Sequence, residues 1–125
     1  MTNARSARRA FLGLGSNQGD RRANLESALE LLEGTDRVHI SSRSSWHETA
    51  PVGGPPGQGD FLNGACEVVT TLAPEELLER CQEIEDELGR VRVERNGPRT
   101  IDIDLLWYEG ETRDDEALTL PHPRW

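Results

Sequence analysis

Two one-sided apolar stripes, each set between runs that read as strands, constrain the fold of this chain more than any other feature. Leu25, Ala28, Leu29 and Leu32 fall at i, i+3, i+4 and i+7, and Leu77, Leu78, Cys81, Ile84 and Leu88 make a second such row. A helix apolar on one side only must lay that side against another element. Gly34 stands where the first helix should stop, as the residue just past its last turn, and Gly89 stands likewise for the second. Pro74-Glu75-Glu76 suits the first turn of the second helix, where proline is tolerated and acids meet the positive end of the dipole.

Residues 9–14, 61–71 and 101–107 read as buried or half-buried strands. Val38, Ile40 and Trp46 fit a further strand, less clearly, because serines and Arg43 interrupt the alternation. The run from Gly15 to Asp20 is a turn, and Glu109-Gly110-Glu111 turns the chain into a short closing segment. Residues 47–60 are Gly- and Pro-rich, too irregular for regular structure and long for a tight connection, and loops of that kind are often functional. The resulting order, βαββαβ, predicts an α+β protein of ferredoxin-like type, with a mainly antiparallel sheet and both helices packed on one face. Residues 1–8 are expected to form a flexible tail and 9–125 a single domain, since 125 residues leave room for one core.

The formal charge of −9 argues against a surface made to coat nucleic acid or anionic lipid. There is no lysine, so all 14 cationic side chains are arginine, which excludes P-loop, Schiff-base and lysine-dependent chemistry. Cys66 and Cys81 lack the spacing of a zinc site and read as packed free thiols in a cytoplasmic protein. No apolar run has the length of a membrane span or signal peptide.

Ile101-Asp102-Ile103-Asp104-Leu105 is the most informative stretch. On a strand, Asp102 and Asp104 share one face and the apolar residues the other, with the two carboxylates roughly 6 to 7 Å apart at the backbone. They can converge on one divalent ion or bracket a pair of ions. Taken alone, the pattern is also what an antiparallel sheet with one wet face shows. Just before it, Arg90, Arg92, Arg95 and Arg99 are concentrated in a strongly acidic chain. Guanidinium forks pair two phosphate oxygens at once, so arginines abutting paired aspartates supply what metal-bound polyphosphate requires. On the second helix Leu78, Gln82 and Glu85 form a mixed stripe that a nucleotide could use, or that simply marks the edge of the core. Thr49, Pro51 and Val52 with Phe61 and Asn63 offer a loop backbone, an aromatic face and an amide to a flat heterocycle, although Phe61 would serve equally as core.

In order along the chain stand Leu14-Gly15-Ser16-Asn17, Glu48-Thr49-Ala50-Pro51, Asp60-Phe61-Leu62-Asn63, Gly89-Arg90-Val91-Arg92, Gly97-Pro98-Arg99-Thr100-Ile101-Asp102-Ile103-Asp104 and Leu120-Pro121-His122-Pro123. This set resembles the 6-hydroxymethyl-7,8-dihydropterin pyrophosphokinase family over nearly the whole chain, from Phe11 to Arg124. The resemblance implies an enzyme that moves pyrophosphate from Mg²⁺-ATP to the pterin alcohol in folate synthesis, releasing AMP and the pterin diphosphate. It implies two Mg²⁺ ions held by Asp102 and Asp104. It places ATP on Leu78, Gln82, Glu85, Arg92, Arg95, Arg99, Thr119 and His122, and the pterin on Thr49, Pro51, Val52, Phe61 and Asn63. Arg92, Arg99, Asp102 and Asp104 would be the catalytic groups. The partners implied are these two small molecules, with no nucleic acid, no membrane and a monomeric protein.

Two departures accompany the resemblance. Asn96 stands where some members carry tryptophan, and the family usually continues past Pro-His-Pro-Arg with a second pterin-stacking aromatic, whereas this sequence stops at Trp125. A C-terminally shortened, non-catalytic nucleotide- or ligand-binding homologue is therefore the alternative reading.

Overall fold

The computed structural model describes residues 6–50, 59–89, 100–115 and 118–123. The chain runs β1 (Arg8–Ser16), α1 (Arg21–Glu33), β2 (Val38–Arg43), β3 (His47–Thr49), β4 (Phe61–Thr70), α2 (Pro74–Gly89), β5 (Asp102–Tyr108), β6 (Arg113–Asp114) and β7 (Thr119–Leu120). The main sheet has the order β2-β4-β1-β5, with β3 also pairing β4, and every pairing is antiparallel. The α+β class and mainly antiparallel sheet are thus as expected.

Both apolar stripes are buried as their spacing requires. Leu25, Ala28, Leu29 and Leu32 of α1, and Leu77, Cys81 and Ile84 of α2, meet Ala10, Leu12 and Leu14 of β1 and Ile103 and Leu105 of β5 in one core, while Leu78 and Leu88 pack at its edge. The helices touch each other, and α1 lies on β1, β2 and β4 while α2 lies on β5, so one sheet face is covered and the other is left for a site. Asp20 caps α1, its carboxylate accepting from the Ala23 N–H at 3.0 Å. At α2 the Ala73 carbonyl accepts the first intrahelical bond and Glu76 reaches back to the Ala73 N–H at 2.7 Å.

Three expectations are corrected. The turn expected over Gly15–Asp20 begins only after Ser16, because β1 runs on through Gly15 and Ser16, which pair Asn63 and Leu62 of β4; Gly34 does end α1, at a right-handed φ of −79°. The second expected strand is two strands, β2 and β3, separated around Trp46. The irregular segment expected from residue 47 begins instead as β3, whose three exposed residues carry no apolar alternation and are ordered by pairing His47↔Asn63, Glu48↔Leu62 and Thr49↔Phe61.

A bulge shapes the end of β5. Phe11 pairs Trp107 and Leu12 pairs Leu105, so Leu106 is an extra residue with no β1 partner. The bulge turns Trp107 out to pack against Phe11, with ring centroids 5.3 Å apart and the planes tilted by 41°, and brings Tyr108 into the core. There the buried Tyr108 hydroxyl donates to the Leu72 carbonyl. The Leu106 carbonyl accepts from the His122 N–H at 2.8 Å, which ties the closing segment to β5.

Cys66 and Cys81 are buried free thiols, as expected. Burial pushes Cys66 up to about 12 and Cys81 higher still, so neither is a ready thiolate near neutral pH.

Glu26 of α1 ties the β2–β3 corner to the helix. Its carboxylate accepts from both Arg43 Nη atoms, at 2.9 and 2.6 Å, and from Trp46 Nε1 at 2.9 Å. The Arg43 bonds first, then Trp46, lower its pKa from an ordinary 4.5 to about 2. A carboxyl depressed by folding stabilises the native state above its unfolded pKa, and that contribution fades as pH falls from 4.5 towards 2. Because Glu26 and Arg43 are 39% and 41% exposed, solvent screening holds the contribution to about 1 kcal/mol or less. Glu26→Gln should therefore destabilise at pH 6 and cost less by pH 3, as read by urea unfolding. An equal cost at both would contradict the charge-based account.

Candidate active site

Glycine in β1 opens the uncovered sheet face. Gly13 and Gly15 are two residues apart and so share a face. Gly15 pairs Asn63 of β4 on one side and Asp102 of β5 on the other, and Gly13 pairs Ala65 and Asp104. A Cβ on Gly15 would come 2.7 Å from Asn63 Oδ1, and one on Gly13 would come 3.2 Å from Leu106 Cδ1. The missing side chains leave a cleft of about 650 Å³, a size suited to a small molecule.

The cleft brings together five of the residues expected to form the site: Thr49, Phe61, Asn63, Asp102 and Asp104. The Asn63 amide donates to the Thr49 hydroxyl, fixing the amide across the β3–β4 pair. Phe61 is half-buried with its ring at the cleft wall, so it is not simply core. Behind the wall, a Cβ on Gly64 would strike the Trp46 ring at 2.4 Å, so the indole lies directly against the β4 backbone. Arg43 stacks over that ring with Cζ 5.1 Å from its centroid.

On β5 the alternation is as expected, with Ile101, Ile103 and Leu105 buried, Asp102 half-buried and Asp104 exposed on the cleft side. Between the two aspartates the Ile103 N–H donates to Glu85 Oε2 of α2 at 2.7 Å. Glu85 therefore fixes the backbone that carries both carboxylates, a role its place on the mixed stripe did not suggest.

The other expected residues lie elsewhere. Leu78 packs at the core edge, Gln82 is exposed on α2, Thr119 pairs Asp114 in the β6–β7 ribbon, and His122 bonds through its backbone to β5; none of them lines the cleft. Pro51, Val52, Arg92, Arg95, Arg99, Asn96 and Trp125 fall outside the described residues. Gly13 and Gly15 were missed as the residues that open the cleft. The available signal was glycine at alternate positions of an otherwise apolar strand, which marks close approach by a ligand or another group.

The donor set fits Mg²⁺. Among the described residues no cluster of three or more His, Cys, Asp or Glu side chains could cage an ion, and two carboxylates stand together on an open face. Mg²⁺ is commonly held by one or two carboxylates, with waters and substrate phosphates completing its octahedron. No helix among the described residues is long and apolar enough to cross a membrane.

The model of the 7,8-dihydro-6-hydroxymethylpterin-pyrophosphokinase family matches residues 11–125. The chain is 51% identical over 114 residues to the 2-amino-4-hydroxy-6-hydroxymethyldihydropteridine pyrophosphokinase of Methylorubrum extorquens, covering 91% of this chain and 72% of that protein. It is 49% identical over 115 residues to the Bacillus subtilis protein of the same name, covering 92% and 68%. The corresponding Haemophilus influenzae protein is 39% identical over 113 residues, covering 90% and 70%.

Proposed function

The chain belongs to the 7,8-dihydro-6-hydroxymethylpterin-pyrophosphokinase family, and from that premise we propose that its glycine-floored cleft is where pyrophosphate passes from ATP to the pterin. The activity is that of a folate-synthesis pyrophosphokinase: ATP and 6-hydroxymethyl-7,8-dihydropterin give AMP and the pterin diphosphate. One observation carries the placement. Asn63 and Asp102 flank Gly15 in a single cross-sheet row, so a group that reads a heterocycle and a group that binds a metal-phosphate face each other across a side-chain-free floor.

Phe61 supplies a stacking face, and Asn63, oriented by Thr49, supplies donor and acceptor atoms for the pterin edge. Pro51 and Val52 are assigned to the pterin as well, on the sequence motif that carries them. Asp102 and Asp104 would hold Mg²⁺, two ions in our reading. Bound there, Mg²⁺ would neutralise phosphate charge and help align the triphosphate. Arg92, Arg95 and Arg99 grip phosphate oxygens, while Leu78, Gln82, Glu85, Thr119 and His122 form the nucleotide side. The chain's task is alignment: no covalent enzyme intermediate is needed when the hydroxymethyl oxygen attacks the β-phosphorus in line with departing AMP. Residues 9–125 act as one domain and as a monomer in the cytoplasm.

Phe61→Ala tests the pterin assignment. Stacking of a base on an aromatic is worth roughly 1 to 3 kcal/mol, so pterin binding should weaken about ten-fold or more, measured by calorimetry with Mg²⁺ and an unreactive ATP analogue. Unchanged pterin affinity would place the heterocycle elsewhere.

A further inference from the structure

We propose that Arg21 is a positioning residue for the pterin, its guanidinium clamping the two stems of the hairpin whose cleft-facing side chains receive the heterocycle. The inference rests on the pterin assignment above. Arg21, the first residue of α1, donates from Nη1 to the Asp60 carbonyl at 2.9 Å and from Nη2 to Glu48 Oε1 at 3.3 Å. Glu48 immediately precedes Thr49, Asp60 immediately precedes Phe61, and Thr49 and Phe61 are paired across β3 and β4. One side chain therefore holds both ends of the segment that separates them.

The clamp acts from behind. Strand alternation puts Glu48 on the side of Leu62, which points into the core, while Thr49, Phe61 and Asn63 are on the cleft side. Arg21 does not line the cleft, so its influence on a bound pterin must pass through the hairpin. β3 is short and exposed at every residue, with little burial of its own to fix it. The planar fork of arginine can serve a carbonyl and a carboxylate together, whereas lysine offers a single point charge.

The test is a calorimetric titration of hydroxymethyl-dihydropterin into the full chain with Mg²⁺ and an unreactive ATP analogue, for the parent, Arg21→Ala and Arg21→Lys. Arg21→Ala should bind the pterin roughly three- to ten-fold more weakly, with Arg21→Lys between it and the parent. The affinity for the ATP analogue should stay within about two-fold, and the loss should appear in the pterin KM more than in kcat at saturation. Should Arg21→Ala not fold, Arg21→Lys carries the test with the same comparison of the two ligands. Pterin affinity within about two-fold of the parent, or equal weakening of both ligands, would overturn the clamp and leave the pterin assignment standing. A parent that binds no pterin would overturn that assignment and this inference with it.

Discussion

Replacing Asp102 or Asp104 by asparagine should lower turnover by at least about two orders of magnitude, equivalent to about 2.7 kcal/mol at the transition state. The two residues stand on alternate positions of β5, on the cleft side, and each substitution removes one negative charge from the pair that fits Mg²⁺ while keeping side-chain size. Folding should survive, because the core is built from the intervening Ile101, Ile103 and Leu105 and because Asp104 is exposed. Unfolding curves and single-turnover rates at saturating Mg²⁺ separate the two effects. Near-parental rates in both variants would refute the metal assignment.

Gly15→Val should weaken pterin binding by roughly ten- to hundred-fold, combining steric exclusion with the loss of a hydrogen-bonding amide. Its Cβ would stand 2.7 Å from Asn63 Oδ1, so Asn63 must swing away and surrender the bond to Thr49. The displaced atom is the tip of a side chain facing an open cleft, so most of the penalty falls on binding rather than folding. Calorimetry alongside thermal unfolding checks this. Parental pterin affinity in Gly15→Val would mean that the ligand does not use this floor.

What the sequence made legible was whatever depends on short-range periodicity. The stripes at Leu25–Leu32 and Leu77–Leu88 identify both helices because burial of one face forces the 3.6-residue repeat. Likewise the alternation from Ile101 to Leu105 identifies β5 and puts both aspartates on one face. β3 was illegible because its three residues are exposed and owe their order to β4. The bulge at Leu106 was illegible because register against β1 decides it; unbroken alternation would have sent Trp107 inward and Tyr108 out. The clamp of Arg21 joins residues 27 and 39 positions away, a proximity that only the folded hairpin creates. At the candidate site, side-chain chemistry pointed to Phe61, Asn63, Asp102 and Asp104, all of which line the cleft, while the glycines that open the cleft carry no chemistry to notice.

The central claim is that the chain itself performs pyrophosphoryl transfer. Its most direct test is nucleotide product analysis for the full chain with ATP, Mg²⁺ and 6-hydroxymethyl-7,8-dihydropterin. AMP should appear only when the pterin is present, one molecule for each pterin consumed, together with the pterin diphosphate. ATP binding without pterin-dependent AMP, or ADP as the nucleotide product, would contradict it.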